Sequence, residues 1–198
     1  MSPPFLSKPI DRAVSRQARA VDNSNPALYR VLFISIDNSA ASIMAEKLLI
    51  DIGKGWFEAF SAGPASITPP HPLMLDVLAS YGLPTNNIDC KSWTDFIAAG
   101  APEMDIIIAI GTPGFELAVH WPGNPIVVPW SLGEPVVPDG GGAAQRNAFE
   151  EIMLALQMRI TLLVSMLITE PADDILRKKL IQVWPAVGPA RPAGKTHE

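Results

Sequence analysis

The sequence has a single cysteine, Cys90, in 198 residues. That excludes an internal disulfide and a cysteine-based zinc site. Its three histidines, His71, His120 and His197, stand apart with no partner suggesting a metal or a charge relay, so neither a metal nor another cofactor is expected. Positive charge is in deficit. Fifteen Lys and Arg against twenty Asp and Glu leave a formal net charge of -5, which gives no global attraction to nucleic acid or to an anionic membrane. A long hydrophobic run is also missing. The longest apolar stretch, Ile160 to Ile168, is broken by Thr161 and Ser165 and is well short of the ~20 residues that cross a bilayer. Residues Met1 to Ala20 carry Lys8, Arg12, Arg16 and Arg19 but no apolar segment followed by a small-residue cleavage site, so no secretory signal is read. A cytoplasmic location follows as the expectation.

What is present is enough apolar material for one substantial core, at 48% hydrophobic residues. Residues 1–28, with Pro3, Pro4, Pro9 and Pro26 and no sustained apolar period, read as a flexible arm. A folded domain is expected over 29–170, and a C-terminal helix with a disordered tail over 171–198. Within the domain Val31-Leu32-Phe33-Ile34 suits a strand buried on both faces. Ala40, Ile43, Met44 and Leu48 then fall at helical spacing up to Gly53. Trp56 to Ser61 predicts a second strand, and Pro72 to Tyr81 a second helix. Met104 to Ile110 and Pro125 to Val128 predict two more strands. Phe149, Ile152, Met153, Leu156, Ile160, Leu163, Val164 and Leu167 line one face of a last long helix. Strands alternating with helices predict an α/β fold with a mainly parallel sheet, because parallel strands need crossover connections.

The first strand runs through a polar turn into a helix, an arrangement that gathers backbone N–H groups and the positive end of a helix dipole around one point. Such a loop can cradle an oxyanion. Its residues are Ser35, Ile36, Asp37, Asn38, Ser39, Ala40, Ala41 and Ser42. The segment from Val31 to Glu46 resembles the signature of the low-molecular-weight protein tyrosine phosphatase and arsenate reductase superfamily, a cysteine, five residues, then an arginine. Phe60-Ser61-Ala62-Gly63, Lys91-Ser92-Trp93-Thr94-Asp95-Phe96 and Trp121-Pro122-Gly123-Asn124-Pro125 resemble the thioredoxin-coupled arsenate reductases in order and spacing. The resemblance implies a three-layer α/β sandwich with a four-stranded parallel sheet flanked by helices.

The functional residues that the resemblance implies are mostly replaced. The nucleophilic cysteine falls at Ser35, which cannot enter a thiol redox cycle. The anion-clamping arginine falls at Ala41, which removes a bidentate donor pair. A loop glycine falls at Asp37. If that carboxylate faced a bound anion, charges ~4 Å apart at an effective dielectric of ~20 would repel by about 4 kcal/mol, disfavouring oxyanion binding; the other reading sends it to solvent or to the helix cap. The two relay cysteines fall at Ile110 and Ala118. The general acid's Asp-Pro pair is replaced by Glu134-Pro135. Asn38, Ser39 and Ser42 stand where the family holds the loop by side chains, and Cys90 matches none of the family cysteines.

Three functions remain open on the sequence. The first is a relative that has lost catalysis and uses its scaffold for binding or regulation. The second is a divergent enzyme using Ser35 with Glu134 or Asp37 as acid or base, although serine needs an activating base and the loop has neither lysine nor histidine. The third is self-association through Leu176, Leu180, Val183 and Trp184 on one side of the C-terminal helix, the alternative being that this face docks on the chain's own core.

Overall fold

In the computed structural model of the chain, residues 28–63, 69–111, 119–132, 142–169, 178–180 and 182 are described. Four strands form one parallel sheet: β1 (Tyr29–Ile34), β2 (Phe57–Ala62), β3 (Ile106–Ile110) and β4 (Ile126–Trp130), in the order β2-β1-β3-β4. The helices are α1 (Ala41–Ile52), α2 (Pro72–Ser80) and α3 (Gly142–Thr169). The sheet is buried on both faces, and β1 shows why its run of apolar residues has no polar alternation. Val31 and Phe33 point into a core shared with all three helices, and Leu32 and Ile34 point into a second cluster with Phe96, Met104 and Trp121. The second face is covered by a short 3-10 helix, Trp93–Phe96, and its flanking loops.

The element ends follow local chemistry. Pro72 opens α2 at a position where a missing N–H does no harm, and His71 caps it, its Nδ1 accepting from the Leu73 N–H at 3.3 Å. His71 also lies against Phe149, ring centroids 4.7 Å apart, so it is a structural group rather than an isolated one. Gly53 ends α1. β4 and α3 are among the elements that extend beyond the sequence reading. β4 continues through Pro129 to Trp130, which a proline permits because β4 is an edge strand and needs no N–H on its outer side. α3 starts at Gly142, seven residues ahead of Phe149, on Ala143 and Ala144, strong helix formers that carry no apolar period.

α3 packs its inner face against α1 and α2. By length and composition alone it could cross a bilayer, but that inner face is part of the main core. Leu180 is buried in the same cluster, so this residue of the expected C-terminal face docks on its own domain. Leu176, Val183 and Trp184 lie outside the described residues.

Candidate functional site

Chain order reverses direction at β1: β2 lies on one side of it and β3 on the other. In a parallel sheet the C-terminal end of such a strand opens a crevice, because its neighbours' connections leave over opposite sides. Residues 35–40 occupy that place and lead directly into α1.

The loop is held by side chains. Asn38 is fully buried with φ of 50°, a left-handed conformation that asparagine tolerates better than most residues. Its Oδ1 accepts from the Lys91 N–H at 2.8 Å, which fixes the amide orientation and turns Nδ2 toward Ser42 Oγ at 2.9 Å. Ser42 Oγ is 2.8 Å from Ser35 Oγ. Since Ser42 accepts from Asn38, its own proton is available to Ser35. The result is a buried polar chain, Lys91 N–H to Asn38 to Ser42 to Ser35.

Neighbouring segments brace this chain. Gly63, after β2, exchanges backbone hydrogen bonds with Lys91 and Trp93. A Cβ there would come 2.9 Å from the Asn38 nitrogen and 3.0 Å from the Asp37 carbonyl carbon, so the close approach needs glycine. The Ser39 carbonyl accepts from the His71 N–H at 3.0 Å, tying the loop to the start of α2. Glu46, buried on α1, accepts from Ser61 Oγ at 2.6 Å and pairs with Lys47 Nζ at 3.2 Å and Lys91 Nζ at 3.5 Å. The segments 60–63 and 91–96 singled out in the sequence therefore converge on the loop.

Asp37 takes neither of the two orientations considered from the sequence. Its carboxylate turns back on the loop, Oδ1 accepting from the Ser39 N–H at 3.1 Å and Oδ2 from Ser39 Oγ at 2.6 Å. Ala40 stands at the N-cap of α1, which has no side-chain cap. The carboxylate also acts on Cys90. Burial pushes the Cys90 thiol above its usual range, and the negative charge of Asp37 pushes it further. A half-exposed thiol held protonated is a poor nucleophile.

Two backbone N–H groups of the loop are committed inside the fold, Ser35 to the Ala62 carbonyl and Ser39 to Asp37. Ala41, the first residue of α1, offers no cation. Ile36 is exposed at the loop's start, and Ile110 is buried at the end of β3. Glu134, Ala118 and His197 lie outside the described residues. Among the described residues no three His, Cys, Asp or Glu side chains converge as a metal site. The sequence reading missed Arg159. This arginine is buried on α3 over the Trp130 ring, 5.9 Å from its centroid, with Nη2 3.4 Å from the Ser131 carbonyl, and burial lowers its pKa. A charged residue inside a helical pattern reads as solvent-facing, so nothing in the sequence flagged it.

Residues 30–118 match the family model described as low molecular weight phosphotyrosine protein phosphatase. In this segment the chain is similar to that family, and its fold is shared with solved structures of arsenate reductases and tyrosine phosphatases. The arsenate reductase of Archaeoglobus fulgidus DSM 4304 is 24% identical, with a TM-score of 0.54 over 68% of this chain and 98% of the other. An arsenate reductase in its oxidized state is 22% identical, with a TM-score of 0.58 over 70% and 98%. A tyrosine phosphatase of Erwinia amylovora is 15% identical, with a TM-score of 0.53 over 69% and 93%. Curated proteins gave no match. At these identities the structural likeness shows the fold alone, and the chemistry has to be read from the loop itself.

Proposed function

We propose that the protein is a non-catalytic relative of the arsenate reductases and tyrosine phosphatases, which keeps the scaffold for binding or regulation in the cytoplasm. The observation that carries this reading is the state of Ser35. It stands where the resemblance places the nucleophilic cysteine, and its hydroxyl is joined to Ser42, itself held by Asn38. Among the described residues no imidazole, amine or carboxylate is hydrogen-bonded to it, so nothing there withdraws its proton. Ala41 leaves the anion unclamped, and Asp37 adds negative charge to the loop. The partner surface is the old cleft or the terminal segments, including Leu176, Val183 and Trp184.

One feature favours the divergent-enzyme reading. The Ser35–Ser42 contact would orient a nucleophilic oxygen, so an acid or base from Glu134 or a re-aimed Asp37 would complete a site. Asp37 would first have to give up both contacts with Ser39. The two readings separate in a thermal melt against phosphate and arsenate at ionic strength matched with chloride. A neighbour of 22% identity was solved in a phosphate-binding state, which makes phosphate the natural probe. Specific binding would raise stability by about 2.7 kcal/mol at a hundred times Kd. The non-catalytic reading expects no saturable shift, and a saturable shift would favour the enzyme.

A further inference from the structure

α2 begins at Pro72, which has no N–H, and each of the next three amides is taken by one residue. The Leu73 N–H donates to His71 Nδ1 at 3.3 Å, and the Met74 and Leu75 N–H groups donate to the His71 carbonyl at 3.0 and 3.2 Å. The first turn of a helix leaves such donors without partners inside the helix. Here His71 serves them all. The same residue reaches outward in two directions. Its own N–H donates to the Ser39 carbonyl at 3.0 Å, and its ring lies against Phe149 of α3, centroids 4.7 Å apart and planes tilted by 35°. The loop of the candidate site, the start of α2 and the inner face of α3 are thus joined at one imidazole-bearing residue.

We propose that His71 is a pH-sensitive latch between the loop and α2, closed by the neutral ring and released by the protonated one. An imidazole nitrogen accepts a hydrogen bond only while it carries no proton, so the cap on Leu73 exists only with Nδ1 bare and the hydrogen on Nε2. Protonation sets an N–H at Nδ1 against the Leu73 N–H, and it places a positive charge at the positive end of the α2 dipole. The ring then has to turn away. The face of Phe149 attracts an imidazolium, but it offers nothing to two opposed N–H groups and does not restore the cap. The charged groups on the elements around the ring are Asp37 in the loop, already bound to Ser39; Asp76 on α2, exposed; and, on the turn of α3 that carries Phe149, Arg146 and Glu150, paired with each other, and Glu151, exposed. Among the described residues none of these is ion-paired with the ring, so no carboxylate holds an imidazolium in place. The cap is therefore present above the range in which imidazole titrates and is lost as pH falls through it. Its loss frays the first turn of α2 and with it the His71–Ser39 hydrogen bond, which loosens residues 35–40 on that side whether or not they hold a ligand.

The test follows the full chain from about pH 8 to about pH 5.5 by thermal melts and by backbone hydrogen exchange, with His71→Asn beside wild type. Asparagine caps a helix as well as any residue and does not titrate. Over this interval the Tm of wild type is expected to fall by about 2–4 °C more than that of His71→Asn. The protection of the Leu73 amide is expected to fall about fivefold in wild type and to hold in the variant. Nitrogen-15 NMR of the wild-type imidazole is expected to show the Nε2–H tautomer of His71 at the upper pH, a readout that decides even where the variant folds poorly. Equal pH dependence of the two melts and of Leu73 protection in the two proteins overturns the proposal, because the acid sensitivity then belongs to carboxylates or to the exposed His120. So does an Nδ1–H tautomer at the upper pH, or a Leu73 amide whose protection is unchanged once the His71 ring has titrated.

Discussion

Removing the Asn38 side chain should damage the loop in a way whose size can be worked out in advance. Asn38→Ala deletes the acceptor for the Lys91 N–H and the donor to Ser42, at about 1 kcal/mol for each hydrogen bond. Alanine at a φ of 50° adds about 1 kcal/mol of backbone strain that asparagine partly escapes. The sum is about 3 kcal/mol, which in a protein of this size lowers Tm by roughly 6–12 °C. Asn38→Gly loses the same hydrogen bonds but not the backbone fit, so it should be about 1 kcal/mol less damaging than alanine. Urea unfolding of the three proteins, read by far-ultraviolet circular dichroism, gives both differences. An alanine variant within about 0.5 kcal/mol of wild type, or a glycine variant worse than alanine, would refute the buried chain described for this loop.

Other perturbations test separate parts of the account. Gly63→Ala should destabilise by about 1–3 kcal/mol, because the loop backbone stands where its Cβ would go; an unchanged melt would contradict that approach. Glu46→Gln removes a carboxylate that serves Ser61, Lys47 and Lys91, and a loss of about 1–2 kcal/mol is expected, whereas a stabilised variant would count against the network. Cys90 should react slowly with iodoacetamide near neutral pH, since burial and then Asp37 hold its thiol up. Asp37→Asn removes the negative charge, so the midpoint of the alkylation profile should move to lower pH; an unmoved profile would place Asp37 elsewhere. Restoring the missing groups together, as Ser35→Cys with Asp37→Gly and Ala41→Arg, should create a saturable phosphate-induced rise in Tm that wild type lacks.

The parallel sheet and its helices were legible because they rest on burial alone. Val31 to Ile34 is apolar at every position, which only a strand covered on both faces tolerates, and the face from Phe149 to Leu167 keeps helical spacing throughout. The loop was legible as a set of segments in order, and the structure joins those segments through Gly63, Lys91 and Asn38. What escaped the sequence depends on polar groups whose partners are distant in the chain. Glu46 finds Ser61 and Lys91 only once β2 and the 91–96 segment come together, and Asp37 is turned by a hydroxyl two residues away rather than by the helix end. Pro129 hid the end of β4 because a proline stops a central strand but not an edge one.

The central claim concerns turnover, and the most direct measurement compares wild type with Ser35→Ala in two assays, hydrolysis of an aryl phosphate and arsenate reduction coupled to thioredoxin. The non-catalytic account predicts no rate in wild type above that of the alanine variant in either assay. A wild-type rate that Ser35→Ala abolishes, with the fold intact by its melt, would contradict it and make Ser35 a working nucleophile.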